Sequence, residues 1–156
     1  METSRQFEDL VIKVLQANNY DILNEQSNKD IDFLITTNGK KCAVEIKYYR
    51  TIRAQPTLIE SAATRLALHA ISVGLSKGVL IVSCVIHNDL RRKLADKLGI
   101  IFVDQVDLRV LASSRPDLLQ ELDALVEVDS RTNLYAPILW TDPLQEERRV
   151  TASDTL

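Results

Sequence analysis

Cysteine, histidine, glycine and proline are all scarce in this chain of 156 residues, and each scarcity closes off a class of protein. The two cysteines, Cys42 and Cys84, form no even-spaced framework, which excludes a disulfide-stapled secreted scaffold, and they are too few for a zinc knuckle. Both lie in apolar surroundings with no base nearby in sequence, and read as packing residues. His69 and His87 are isolated, with no cluster to complete a metal-ligand pattern. The four glycines, Gly39, Gly74, Gly78 and Gly99, fall at predicted turns or helix ends, so no glycine-rich loop is left to cradle a phosphate and no nucleotide cofactor is expected. The longest apolar run, Val79 to Ile86, is interrupted by Ser83 and is far shorter than the roughly 20 residues needed to cross a bilayer, so no membrane association is expected. The opening METSRQFEDL has acids and a helix start where a secretory signal has a basic flank and an apolar run. A cytoplasmic location with reduced thiols is the expectation.

What is present is the mixture of a packed globular chain: 46% hydrophobic and 26% charged residues. The net charge of -3 is unevenly spread. Residues 1–116 hold 16 basic and 13 acidic side chains, whereas residues 117–156 hold 3 and 9. Lys40, Lys41, Lys47, Arg50 and Arg53 crowd one short stretch against the single acid Glu45. The length suits one domain, expected over residues 1–129, with an acidic extension at 130–156 that carries an apolar plug of Tyr135, Ile138, Leu139 and Trp140. Such a plug packs on its own domain or covers a partner, and self-packing is preferred here.

Phe7, Leu10, Val11, Val14 and Leu15 recur at helical spacing behind a Thr3/Gln6 capping-box pattern, predicting a helix over 4–17. Strands are predicted around 20–24, 30–37 and 41–48, the last two flanking the hairpin dipeptide Asn38-Gly39. Thr57 and Glu60 suggest a second capping box opening a long helix that Gly74 stops. The run VLIVSCVI reads as a strand covered on both faces, followed by a helix over 89–98 closed by Gly99, a strand over 100–103, and helices over 105–113 and from Pro116 to about Val126. The order predicts an α/β fold, a mixed sheet flanked by helices.

If Asn38-Gly39 is a two-residue loop, Thr37 faces Lys40 and the pairing runs out in step: Ile35 opposite Cys42, Phe33 opposite Val44, Asp32 opposite Glu45, Asp30 opposite Lys47. One face of the hairpin then carries Ile31, Phe33, Ile35, Cys42, Val44 and Ile46, and the other all four charges. Opposed carboxylates, with Cβ atoms roughly 4.5–5.5 Å apart, repel. A hard cation between them reverses the sign, because Mg²⁺ accepts one or two carboxylate oxygens and fills its shell with water and substrate phosphate. Lys47, on the same face, then reaches the attacking water or the scissile phosphate. The plainer reading is a solvated charged face with an Asp30–Lys47 ion pair.

Asp32, twelve intervening residues and then Glu45-Ile46-Lys47, set between an N-terminal helix and a further helix and strand, resemble the PD-(D/E)XK nuclease superfamily. The likeness covers roughly residues 3–103 and is greatest to small Mrr-type and archaeal Holliday-junction-resolvase-like members. It implies a restriction-endonuclease-like fold with an α-β-β-β-α-β core, and a Mg²⁺-dependent endodeoxyribonuclease in which Mn²⁺ substitutes. Asp32 and Glu45 correspond to the metal-binding acids, Lys47 to the motif lysine, and Glu8 resembles an acid that the first helix brings towards the metals. Ile31 stands where the pattern has proline, and Asp30 is a rival for the aspartate role. Arg50 and Arg53 are candidates for flanking DNA phosphates. Small members often pair, so a homodimer is expected, and the C-terminal extension is the candidate element for docking on a larger complex. The alternative function is a non-catalytic nucleic-acid-binding or assembly module of a larger nuclease or defence complex.

Overall fold

The computed structural model of the chain describes residues 2–23, 31–37, 39–75, 77–128 and 140–145. Helix α1 (Glu2–Ala17) is followed by β1 (Ile22–Leu23), β2 (Phe33–Thr37), β3 (Lys40–Lys47), α2 (Pro56–Ser72), β4 (Gly78–Val82), α3 (Asn88–Leu98), β5 (Ile100–Val103), α4 (Gln105–Leu111) and α5 (Pro116–Leu125). A short 3₁₀ turn, Pro143–Gln145, comes after them. The strands form one sheet in the order β1-β2-β3-β4-β5, antiparallel from β1 to β3 and parallel from β3 to β5. This is the mixed α/β sheet expected of a restriction-endonuclease-like fold.

Alternation along β2 and β3 sends apolar side chains to both faces. Phe33, Ile35, Cys42, Val44 and Ile46 join the core under α1, α4 and α5, whereas Leu34 and Ala43 join a second core under α2 and α3. The face opposite the first core is therefore covered by helices, where a charged solvated surface was the plainer expectation. Gly78 is required by this second core. A Cβ there would lie 2.8 Å from Leu66 Cγ, on the buried side of α2.

The hairpin register is the expected one from Thr37–Lys40 to Phe33–Val44. It then breaks. Asp32 N–H also donates to the Val44 carbonyl at 2.9 Å, so Asp32 and Phe33 both oppose Val44, the signature of a bulge with one extra residue on β2. The extra residue reverses the alternation, and Ile31 packs with the α2 core rather than beside Phe33 as expected. Asp30, the rival aspartate, lies outside the described residues, as do Tyr135, Ile138 and Leu139 of the apolar plug.

Helix starts differ from expectation. Helix α1 already includes Thr3, and α2 begins at Pro56 behind Gln55 with no side-chain cap, because a proline at the first helical position needs no donor satisfied. The stop signals hold: Gly99 ends α3 in the left-handed region at φ 66°. His87 caps α3, accepting from Asp89 N–H at 3.1 Å. Strand β4 ends at Val82, four residues before the apolar run does.

Beyond β5, Asp104 and Asp107 form a reciprocal capping box that starts α4. Both are buried, and Arg91 reaches from α3 to pair with Asp107 at 2.7 Å, its other nitrogen 3.7 Å from Asp104. Arg91 thus bridges α3 to the start of α4. Trp140 donates to Asp107 at 2.7 Å, Tyr20 donates to Asp142 at 2.8 Å, and Thr37 donates to the Leu144 carbonyl at 2.8 Å, so residues 140–145 fold back on the α1 core.

Burial first, then the charge of Asp107, pushes Asp104 up to about 7, against the pull of Arg91 and of the Ile86 and Asp107 N–H groups. An acid raised in the folded state favours folding while protonated, and that contribution is lost as pH rises through the folded value. Wild-type stability should therefore fall between about pH 5 and about pH 8 by an amount on the order of 1 kcal/mol or more. Asp104→Asn keeps the cap oxygen and removes the charge. Urea titration at the two pH values should show a flatter dependence for the variant, and identical slopes would refute the assignment.

Candidate active site

Glu45 and Lys47 alternate with Val44 and Ile46 at the carboxyl end of β3. Packing of the two apolar residues into the α1 core turns the two charged ones to the α2 side. Glu45 is left with 6% of its surface exposed. A carboxylate so placed is costly unless its oxygens are paired. Its Oε1 lies 3.1 Å from Lys47 Nζ, while its Oε2 is buried without a hydrogen-bond partner among the described residues. Lys47 is the last residue of β3 and its side chain is one-third exposed, so it spans from the buried acid to the mouth of the site.

Asp32 enters from the bulge. Its Oδ2 accepts the Ile46 N–H at 2.7 Å, in place of a regular ladder partner. Although the residue as a whole is exposed, loss of solvent around its carboxyl group raises its pKa, opposed by the Ile46 hydrogen bond and by the charge of Lys47. Glu8 is half-buried on α1, and its pKa is raised by burial and then by the charge of Asp32, with Lys47 and Arg5 pulling the other way. Asp32, Glu45 and Lys47 thus share one end of the sheet, and Glu8 lies within electrostatic range of Asp32 and Lys47.

Among the described residues no three His, Cys, Asp or Glu side chains converge tightly enough to hold an ion alone. The carboxylates at this end of the sheet are Asp32, Glu45 and Glu8, with Asp32 and Glu8 within electrostatic range of each other. Unpartnered, buried Oε2 and an all-oxygen donor set fit a hard divalent cation, which needs only one or two protein carboxylates.

Arg50 and Arg53 are exposed on the segment 48–55 that leads from β3 to α2. That segment is stapled to the end of β4. Ser83 Oγ accepts from Tyr49 N–H at 2.6 Å and donates to Tyr49 carbonyl at 2.8 Å, and Ser83 N–H donates to the Lys47 carbonyl at 3.3 Å. Val85 N–H donates to Ile52 carbonyl and Ala54 N–H to Val85 carbonyl. Gln105 holds the Ser83 carbonyl from behind at 3.1 Å. Ser83 and Tyr49 were not among the residues expected at the site. The signal was the one hydroxyl inside VLIVSCVI, at the place where the strand stops. Cys84 beside it is no nucleophile, since burial pushes its thiol up to about 12.

The family model Mrr_cat, described as restriction endonuclease, matches residues 1–112. The chain belongs to this restriction endonuclease family. Mrr_cat is a PD-(D/E)XK nuclease family, and the matched span holds all of β1–β5, Glu8, Asp32, Glu45 and Lys47. A solved structure described as the protein of unknown function AF1548 shares the fold, with a TM-score of 0.50 and 11% identity over 95% of this chain and 98% of that one. No curated protein matches the chain.

Titration with Mn²⁺ should raise the melting temperature, since an ion bound only to the folded state stabilises it by mass action. Asp32→Asn and Glu45→Gln should each abolish the shift. Because the carboxyl of Asp32 is raised, protons compete with the ion at a higher pH than for an ordinary aspartate, so the shift should shrink as pH falls towards the carboxylate range. A shift that survives both substitutions places the ion elsewhere.

Proposed function

We propose that the protein is a divalent-metal-dependent endonuclease that hydrolyses phosphodiester bonds of DNA, with Mg²⁺ as the ion and Mn²⁺ as its substitute. The observation that carries this reading is Glu45: a buried carboxylate with one oxygen on Lys47 and the other unpartnered among the described residues, while Asp32 is held on the N–H of the next residue, Ile46. Asp32 and Glu45 would hold the cation, with Glu8 as a further ligand. When bound, such an ion supplies a Lewis acid for the phosphate oxygen and lowers the pKa of water.

The chain's own residues supply position and charge. Lys47 is fixed at one end by Glu45 and by the backbone staple to Ser83, so its ammonium meets the scissile phosphate without first losing side-chain freedom, and it offsets the charge that develops there. Asp32 is held by Ile46 N–H and needs no reorientation to accept a cation. Arg50 and Arg53, on the stapled segment next to Lys47, would engage flanking phosphates without reading sequence. The active form is taken to be a homodimer, which suits a substrate of two antiparallel strands.

The test is purified protein with Mg²⁺ or Mn²⁺ and plasmid, linear, single-stranded or branched DNA. Cleavage is expected for the wild type, with loss of about 10²–10³-fold in Lys47→Ala and loss in Glu45→Gln and Asp32→Asn. Arg50→Ala and Arg53→Ala should weaken DNA binding on every sequence and each lower the salt slope by about 1. A wild type that binds DNA and cuts none of the four substrates would turn the assignment to a non-catalytic binding module.

A further inference from the structure

Among the described residues, four of the five exposed large hydrophobics lie on α2 or just after it, Leu58 at 46%, Leu68 at 64%, Ile71 at 71% and Val73, the fifth being Ile52. Helix α2 already buries one face, through Ile59, Ala62, Ala63, Leu66 and Ala70. Opposite that face runs an exposed stripe of Thr57, Ser61, Thr64, Leu68 and Ile71, at alternating spacings of four and three. The spacing is that of a two-helix coiled-coil seam, with apolar residues at its Leu68 and Ile71 end, and Glu60 and Arg65 flank it on opposite sides. Leu68 and Ile71 are neighbours on the exposed side of the helix, three residues apart, and so form one joint apolar surface.

We propose that α2 is the surface on which two copies of this chain pair, with their α2 helices side by side and parallel. Direction follows from charge and from apolar matching. In a parallel pair a flanking residue faces the residue five positions on in the other copy, so Glu60 meets Arg65 of the second copy, and two-fold symmetry makes the contact twice. The same alignment sets Leu68 against Leu68 and Ile71 against Ile71. An antiparallel pair centred on the stripe sets Leu68 against the hydroxyl end of the seam and gives Glu60 no cationic partner.

The parallel arrangement has a consequence for the homodimer reading above, on which this part of the inference rests. Helix α2 begins nine residues after Lys47, through the stapled segment, so its first turn lies towards the same end of the molecule as the catalytic cleft. A two-fold axis along α2 then turns both clefts to one side, where a single duplex can meet both. The Thr57, Ser61 and Thr64 half of the seam lies on that side. Its small hydroxyl side chains pack weakly, while the Leu68 and Ile71 half clamps the far end.

A single-helix seam is smaller than the roughly 800 Å² per partner of a standard assembly, so pairing should be reversible on dilution. Sedimentation equilibrium without DNA or metal tests it apart from any nuclease activity. The wild type should approach dimer mass as concentration rises, and Leu68→Glu with Ile71→Glu should be monomeric with an unchanged circular dichroism spectrum. Glu60→Arg and Arg65→Glu should each lose dimer alone, and the two variants mixed should recover it, because every cross-pair is then opposite in charge. A wild type that stays monomeric at its highest soluble concentration overturns the proposal, as does a dimer that survives the Leu68/Ile71 substitutions. A dimer whose charge variants do not recover on mixing overturns the parallel alignment. Loss of DNA cleavage with the dimer intact would count against the endonuclease reading and leave the pairing standing.

Discussion

One buried carboxylate sets the terms for the rest of the molecule. Glu45 sits in the middle of the sheet at the end of β3, covered on the α2 side, with Lys47 on one oxygen and nothing among the described residues on the other. Removing such a group from water costs several kcal/mol, and a single ion pair seldom repays it, so well-packed apolar residues at the two positions would serve the fold as well or better. The surrounding fold carries that cost through two apolar cores, one on each face of the sheet, joined through β3 and β4. Stability does not account for the pair. In the endonuclease reading, the partly exposed lysine and the unsatisfied oxygen do what an apolar pair cannot, which is to meet an ion and a phosphate.

Precision at such a site depends on what holds the strand end still. Strand β3 would otherwise finish at Lys47 with a free-running loop. Instead Ser83 grips both the N–H and the carbonyl of Tyr49, and the next residues of both segments continue hydrogen bonding as far as Ala54 and Val85. Gln105 ties that staple to α4, which is itself started by the Asp104/Asp107 box and braced by Arg91 and Trp140. The C-terminal residues 140–145 therefore contribute to the rigidity of the sheet end although they lie far along the chain. The acidic character of the C-terminal portion is compatible with this, since Asp142 is spent on Tyr20 and on the Leu144 N–H.

Much of this was legible in the sequence because it rests on local chemistry. Asn38-Gly39 set the hairpin, and the register from Thr37–Lys40 to Phe33–Val44 follows from the turn and the apolar alternation alone. The acid-x-lysine element, the helix stop at Gly99 and the covered strand β4 were readable for the same reason. What was not legible depends on long-range partners. A bulge at Asp32 leaves no mark in a pattern of apolar and polar residues, so Ile31 was assigned to the wrong face. Arg91 looks like any surface arginine until Asp104 and Asp107 are brought to it from beyond β5. Thr3 and Thr57 have the composition of caps but lie inside the first turns of their helices, where Pro56 fixes the start of α2 more firmly than a threonine. Ser83 read as a blemish in an apolar run and proved to be the point where the strand is exchanged for the staple.

The bulge also resolves a difficulty that the regular register created. Two carboxylates directly opposed across a hairpin repel, and a fold that requires them so placed would be strained whenever no cation is present. With one extra residue on β2, Asp32 is withdrawn from the position facing Glu45 and its carboxylate is given the Ile46 N–H as a donor. Lys47 then stands between the two acids electrostatically, paired with Glu45 and lowering the charge penalty on Asp32. Among the described residues the two acids are thus held without an ion, apart from one buried oxygen of Glu45, yet both remain at the same strand end. In the endonuclease reading this is what allows loading without refolding: an ion gains an unused oxygen, and the hairpin that presents it does not have to move.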